Sequence, residues 1–164
     1  GYRCTGKTTI GHLLAERLNI DFIDTDILIE QQAGSTISEI VKKNGWAKFR
    51  ALEKKILFET KYKTNSIIGT GGGVILDPIN RNFIIDNGYC VWLDADIQII
   101  LQRLSTDNKT DSNRPALTNK SLIEETEELI IQREPLYKMT ADMRIDTTSH
   151  TPEEIVNIID RRLS

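Results

Sequence analysis

The chain has 164 residues, 39% of them hydrophobic, which is enough for one ordinary domain with its own core. Its 24 acidic and 21 basic residues leave a net charge of −3, which excludes a general nucleic-acid-binding face and directs any arginine cluster toward a small anion. Two separated cysteines, two isolated histidines and the lack of any apolar run near ~20 residues exclude a disulfide framework, a cysteine–histidine metal cluster and a membrane-spanning helix.

The first nine residues, "GYRCTGKTT", fit the phosphate-loop spacing G-x-x-x-x-G-K-[ST] over Gly1, Gly6, Lys7 and Thr8. In such a loop the backbone N–H groups wrap phosphates, the lysine reaches the terminal ones and the hydroxyl holds Mg²⁺. Ile10, Leu13, Leu14 and Leu18 recur at helical spacing directly afterwards, so the helix N-terminus faces the same phosphates. A loop of this kind calls for a strand ahead of it, and the expectation is a central strand preceding Gly1.

"DFIDTD" over 21–26 reads as a short strand ending in carboxylates, followed by helices over 27–34, 37–45 and 46–62. "SIIG" is a short apolar strand that runs into Gly71, Gly72 and Gly73, a backbone that something must approach closely. A helix over 81–88, a buried strand over 89–95 and a helix over 97–105 lead to the wholly polar loop 106–113. A long helix over 122–138, a strand at 142–146 and a last helix opening on Pro152 complete the chain. Alternating strands and helices imply one α/β domain over 1–164, a parallel sheet covered on both faces, with ligands at the carboxyl ends of its strands.

Asp24 and Asp26 lie at such an end, two apart, where extended chain would put them on one face. Asp26 is read either as a helix cap or as the carboxylate that orients an attacking hydroxyl. Arg50, three residues before Glu53, and Arg133 have the ordinary explanation of helical ion pairs; guanidinium forks also suit a carboxylate substrate. Arg114, after the polar loop, is either a surface charge or a group that neutralises a transferring phosphate when a loop closes.

Taken in order, "GYRCTGKTT", "DTD", "FR" (Phe49, Arg50), "TGGG" (Thr70 to Gly73), "NRP" (Asn113 to Pro115) and "REPLY" (Arg133 to Tyr137) resemble the shikimate kinase family across essentially the whole chain. The resemblance implies a nucleoside-monophosphate-kinase type of three-layer P-loop fold, a five-stranded parallel sheet with its first strand before Gly1, a lid and a substrate-binding region. It implies ATP and Mg²⁺ as cofactors, shikimate as the small-molecule partner, a monomer in the cytoplasm, and no nucleic-acid or membrane partner. Carried over by position, Gly1, Tyr2, Arg3, Cys4, Thr5, Gly6, Lys7, Thr8 and Thr9 wrap the ATP phosphates. Thr8 and Asp24 serve the metal, and Arg103 and Pro152 flank the adenine. Asp26 takes the 3-hydroxyl as candidate base, Arg50 and Arg133 grip the carboxylate, and Gly71 to Gly73 line the ring. Lys7, Asp26 and the lid residue Arg114 form the catalytic set. Another small-acid kinase, such as one for gluconate, and a non-catalytic nucleotide-binding module are the rival readings.

Overall fold

The computed structural model describes residues 1–106 and 121–163. The phosphate-loop residues Gly1–Gly6 enter helix α1 (Lys7–Leu18) through Gly6, whose φ of 89° is left-handed, a conformation that glycine adopts without penalty. The first turn of α1 has no acidic side chain, so its positive end is left to the cavity in front of it. Strand β1 (Asp21–Asp24) passes without a linker into α2 (Thr25–Ala33). The strand therefore ends two residues earlier than the sequence reading places it, because Asp24 is the cap: its Oδ1 accepts the Asp26 N–H at 2.9 Å.

Helix α3 (Ile37–Glu59) runs through Gly45, where φ 78° and ψ 168° make a kink. Gly45, with its positive φ and extended ψ, divides α3 into two helical segments, as the glycine between the two helices read from the sequence implies. Helix α3 starts with a reciprocal box: Glu39 N–H to Thr36 Oγ1 at 3.3 Å and Thr36 N–H to Glu39 Oε2 at 2.8 Å. Strand β2 (Ser66–Gly69), helix α4 (Pro78–Asn87), strand β3 (Val91–Asp94), helix α5 (Ile97–Thr106), helix α6 (Leu122–Thr140), strand β4 (Met143–Asp146) and helix α7 (Pro152–Leu163) follow. Helix α4 begins three residues ahead of the predicted start because Asp77 caps it and Pro78 takes the first helical position.

The strands pair in parallel, β1 with β2 (Asp24 opposite Gly69) and β3 with β4 (Asp94 opposite Asp146). Neighbours in β3 point to opposite faces. Leu93 packs with Ile10 and Leu14 of α1 and Ile155, Val156 and Ile159 of α7, while Trp92 packs with Leu57 of α3 and Tyr137 of α6. Helices therefore cover both faces, giving the three-layer α/β arrangement. Between β2 and β3 lies a cavity of about 580 Å³ lined by Ile67, Ile68, Val91, Leu93 and Gly1. The described strands thus form two hydrogen-bonded pairs, not one continuous sheet.

A separate cluster of Ile29, Ile40, Phe49 and Ile56 joins α2 to α3, and this packing holds the face of α3 that carries Arg50. Thr36→Ala removes the cap that starts α3 and is expected to lower stability by about 1 kcal/mol in urea denaturation.

Candidate active site

The carboxyl ends of β1 and β2 and the N-terminus of α1 open on one cavity of about 420 Å³. Its walls are Lys7, Thr8 and Thr9 with Arg3, Cys4 and Gly6 from the phosphate loop, Asp24 and Asp26 from the β1–α2 junction, Arg50 and Glu53 from α3, Gly71 to Gly73, and Arg133 from α6. Residues 130 positions apart in the chain thus meet around one volume because parallel strands deliver all their outgoing connections to the same edge.

Lys7 folds over the loop, its Nζ donating to the carbonyls of Gly1 at 3.1 Å and Tyr2 at 2.6 Å. Thr8 Oγ1 lies 3.5 Å from Asp24 Oδ2, so a hydroxyl and a carboxylate stand together beside the loop. Asp24 thereby uses one oxygen as the α2 cap and turns the other toward Thr8. Asp26 occupies the first turn of α2, not extended chain, and its Oδ1 would be 2.9 Å from a Cβ placed on Gly71.

None of the three glycines has a positive φ; what each position requires is space. A side chain at Gly71 would meet Asp26 and Glu53 Oε1 (3.2 Å), at Gly72 the carbonyl of Gly1 (2.8 Å), and at Gly73 the Arg50 guanidinium (Nη1 at 2.6 Å). The close approach that the glycine run implies is therefore made by the protein's own acids, arginine and phosphate loop.

Arg50 stacks on two rings of its own helix, with Cζ 5.4 Å from the Trp46 ring and 5.0 Å from that of Phe49. Its Nη1 donates to both Glu53 oxygens, at 2.8 and 2.6 Å. Glu53 is only 2% exposed, and burial raises its carboxyl above the ordinary value against the lowering pull of Arg50, with Asp26 adding to the rise. Trp46, Phe49, Arg50 and Glu53 stand at i, i+3, i+4 and i+7. That face was legible in the sequence, but Glu53 reads there only as a surface partner of Arg50 and Trp46 not at all.

Arg133 is 6% exposed and its Nε has no hydrogen-bond partner among the described residues. It lines the cavity beneath the Tyr2 ring, 5.9 Å from its centroid. A guanidinium with an unspent buried donor is a costly arrangement in isolation and a ready one for an anion.

Other loop residues serve differently. The side chains of Tyr2 and Thr5 are interior: Thr5 Oγ1 donates to the Tyr2 carbonyl at 2.9 Å, and neither side chain lines the cavity. Arg103 is engaged in binding backbone, donating to the carbonyls of Cys4 (3.2 Å) and Thr147 (3.0 Å) and to Thr147 Oγ1 (3.2 Å). Pro152 opens α7 on the exposed side of that loop and does not line the cavity. Arg114 and the rest of "NRP" lie outside the described residues.

Because the Glu53 pKa is higher folded than unfolded, its ionised form costs stability above the folded value, and that cost fades as pH falls through it toward the ordinary carboxylate range. Glu53→Gln is therefore expected to melt higher than the native protein near pH 7, with the gap narrowing toward pH 4; melting curves across that range check the sign.

The shikimate kinase family model matches residues 3–164. A shikimate kinase of Rhodopirellula baltica is 41% identical over 156 residues, 95% of this chain and 83% of that protein. A shikimate kinase 2 of Escherichia coli is 40% identical over 164 residues, 100% of this chain and 92% of its own. Among solved structures, shikimate kinase from Acinetobacter baumannii in complex with shikimate superposes with a TM-score of 0.91 at 33% identity, covering 99% of this chain and 89% of that one. With the three-layer fold, the phosphate loop and the arginine-lined cavity in place, this chain belongs to the shikimate kinase family.

Proposed function

We propose that the protein transfers the γ-phosphoryl group of ATP to the 3-hydroxyl of shikimate, yielding shikimate 3-phosphate for aromatic amino-acid synthesis. The observation that carries the reading is that Arg50 and Arg133, 83 residues apart in the chain, line one cavity with Asp26 and the phosphate loop. Two guanidinium groups grip the substrate carboxylate, which fixes the ring against the Gly71–Gly73 backbone and aims one hydroxyl at Asp26. Asp26 orients that hydroxyl and takes its proton as the bond to phosphorus forms. Glu53 holds the Arg50 fork in place as its hydrogen-bonded counter-charge.

The loop N–H groups and Lys7 cradle the phosphates, Lys7 exchanging its carbonyl partners for phosphate oxygens. Thr8 and Asp24 supply hard oxygen donors 3.5 Å apart beside the loop, a set that suits Mg²⁺, whose charge when bound neutralises the phosphates. Arg114, outside the described residues, is the candidate for neutralising the transferring group, and Arg103 and Pro152 are the candidates for the adenine side. Little covalent work falls to the protein, because a loose transition state responds chiefly to positioning and charge.

Release of ADP, measured in a coupled assay, is expected to require shikimate and not to occur with gluconate; nucleotide binding without shikimate-dependent ADP release overturns the proposal. Asp26→Asn is expected to lower kcat by about 10²–10⁴-fold while leaving ATP affinity within about twofold. Gly73→Ala pushes a methyl into the Arg50 guanidinium and is expected to raise the KM for shikimate by about tenfold with little change in that for ATP, by steady-state kinetics.

A further inference from the structure

One conspicuous side chain of the "REPLY" segment takes no part in the reaction as drawn. Tyr137 stands one helical turn after Arg133 on α6, so the two share a face. Its ring is buried against Trp92, with centroids 5.6 Å apart and planes at 24°, and that stack fixes where the hydroxyl can be. The hydroxyl donates to the Gly72 carbonyl at 2.6 Å. Gly72 is wedged there: a Cβ would lie 2.8 Å from the Gly1 carbonyl oxygen and 3.3 Å from the Tyr137 hydroxyl. The glycine turn is therefore pinned between the phosphate loop and a phenol.

The peptide unit between Gly72 and Gly73 is planar and trans, so its C=O and N–H point in opposite directions. Tyr137 does not line the substrate cavity, whereas Gly72, Gly73 and Arg133 do. Drawing the Gly72 carbonyl toward the phenol thus turns the Gly73 N–H away from it, to the cavity side. Other donors hold the carbonyls that follow: Asn80 Nδ2 takes that of Val74 at 3.0 Å and Arg81 Nη1 takes that of Ile75 at 2.7 Å. The Gly72 carbonyl is the one whose restraint comes from the helix that also bears Arg133.

We propose that Tyr137 is a positioning residue for the acid substrate, its hydroxyl holding the Gly72 carbonyl out of the cavity and so presenting the Gly73 N–H and the Arg133 guanidinium as one anion-binding surface. The inference rests on the shikimate reading above. The hydroxyl remains a donor throughout the working pH range, since burial pushes its pKa up to about 12.

Tyr137→Phe keeps the ring and its stack and deletes the hydroxyl's bond to the Gly72 carbonyl together with its hydrogen bond with the Arg133 guanidinium. Steady-state kinetics and calorimetric titration with shikimate and with ATP, on native protein and variant, decide the matter. The expected result is a shikimate KM and Kd raised about tenfold, with kcat and the ATP constants within about twofold. An unchanged shikimate affinity, or equal weakening of both ligands, overturns the proposal; so does a variant that fails to fold, which would assign the hydroxyl to stability alone. Failure of native protein to bind shikimate would instead remove the functional reading itself, and this inference with it.

Discussion

The site depends on the space left by three missing side chains. Where β2 ends, Gly71, Gly72 and Gly73 allow Asp26, Glu53, the Gly1 carbonyl and the Arg50 guanidinium to converge on bare backbone. A methyl group at any of the three would collide with a charged group or with the phosphate loop. Since protein interiors pack at the density of organic crystals, such a collision is relieved only by moving the group it meets. The distance between the phosphate loop and the cavity-lining Arg50 is thus set by backbone-to-side-chain contact, a stiffer determinant than a surface ion pair.

That closeness creates an electrostatic difficulty which the fold answers with Glu53. Lys7, Arg3, Arg50 and Arg133 all border one cavity, and like charges at such separations would drive each other apart. Glu53 is buried against Arg50 and feels Asp26 and Arg133 as well. It neutralises one guanidinium without occupying the volume in front of it. Its raised carboxyl pKa is the sign that this neutralisation is held at the expense of stability, a common condition of groups that serve a site and not the fold. Arg3 has its own counter-charge in buried Glu125 of α6, 4.0 Å away. Two of the four cations thus have their own buried acid, Arg50 with Glu53 and Arg3 with Glu125, while the Arg133 Nε has no hydrogen-bond partner among the described residues.

Much of this was legible in the residues. The phosphate loop and the order of strands and helices follow from spacing, because local periodicity and motif distance survive in one dimension, whereas the arginines at 50 and 133 read alone as ordinary helical charges and stand out only through the family resemblance. Misplaced boundaries occurred where a polar side chain overrode the pattern: Asp24 and Asp77 cap helices earlier than hydrophobic spacing alone predicts. Gly45 reads as a helix stop and acts as one, its positive φ breaking the helical backbone inside α3, while Phe49 and Ile56 beyond it pack with Ile29 and Ile40 before it. Arg103 shows the deeper limit. Nothing in its sequence neighbourhood says that its guanidinium bonds Cys4 and Thr147, residues 99 and 44 positions away. Such partners exist only once the sheet has brought the ends of its strands together.

Arg103 also points to a rule that the two anion-facing surfaces share. In the phosphate loop the carbonyl of Tyr2 accepts from Thr5 and that of Cys4 from Arg103. In the glycine turn the carbonyl of Gly72 accepts from Tyr137 and that of Val74 from Asn80. Each planar peptide whose oxygen is drawn into the protein must direct its N–H the other way. A run of such peptides is an anion-binding concavity that needs no net charge of its own. Cys4 follows the same logic at a cost: its φ of 59° is left-handed, a strain of about 1 kcal/mol for a residue with a Cβ. The strain persists because the bonds from Arg103 and the loop's own hydroxyl over-determine the conformation. The direction in which these backbone N–H groups face is thus set by the side chains that capture carbonyls from behind, Thr5 and Arg103 in the loop and Tyr137 in the glycine turn.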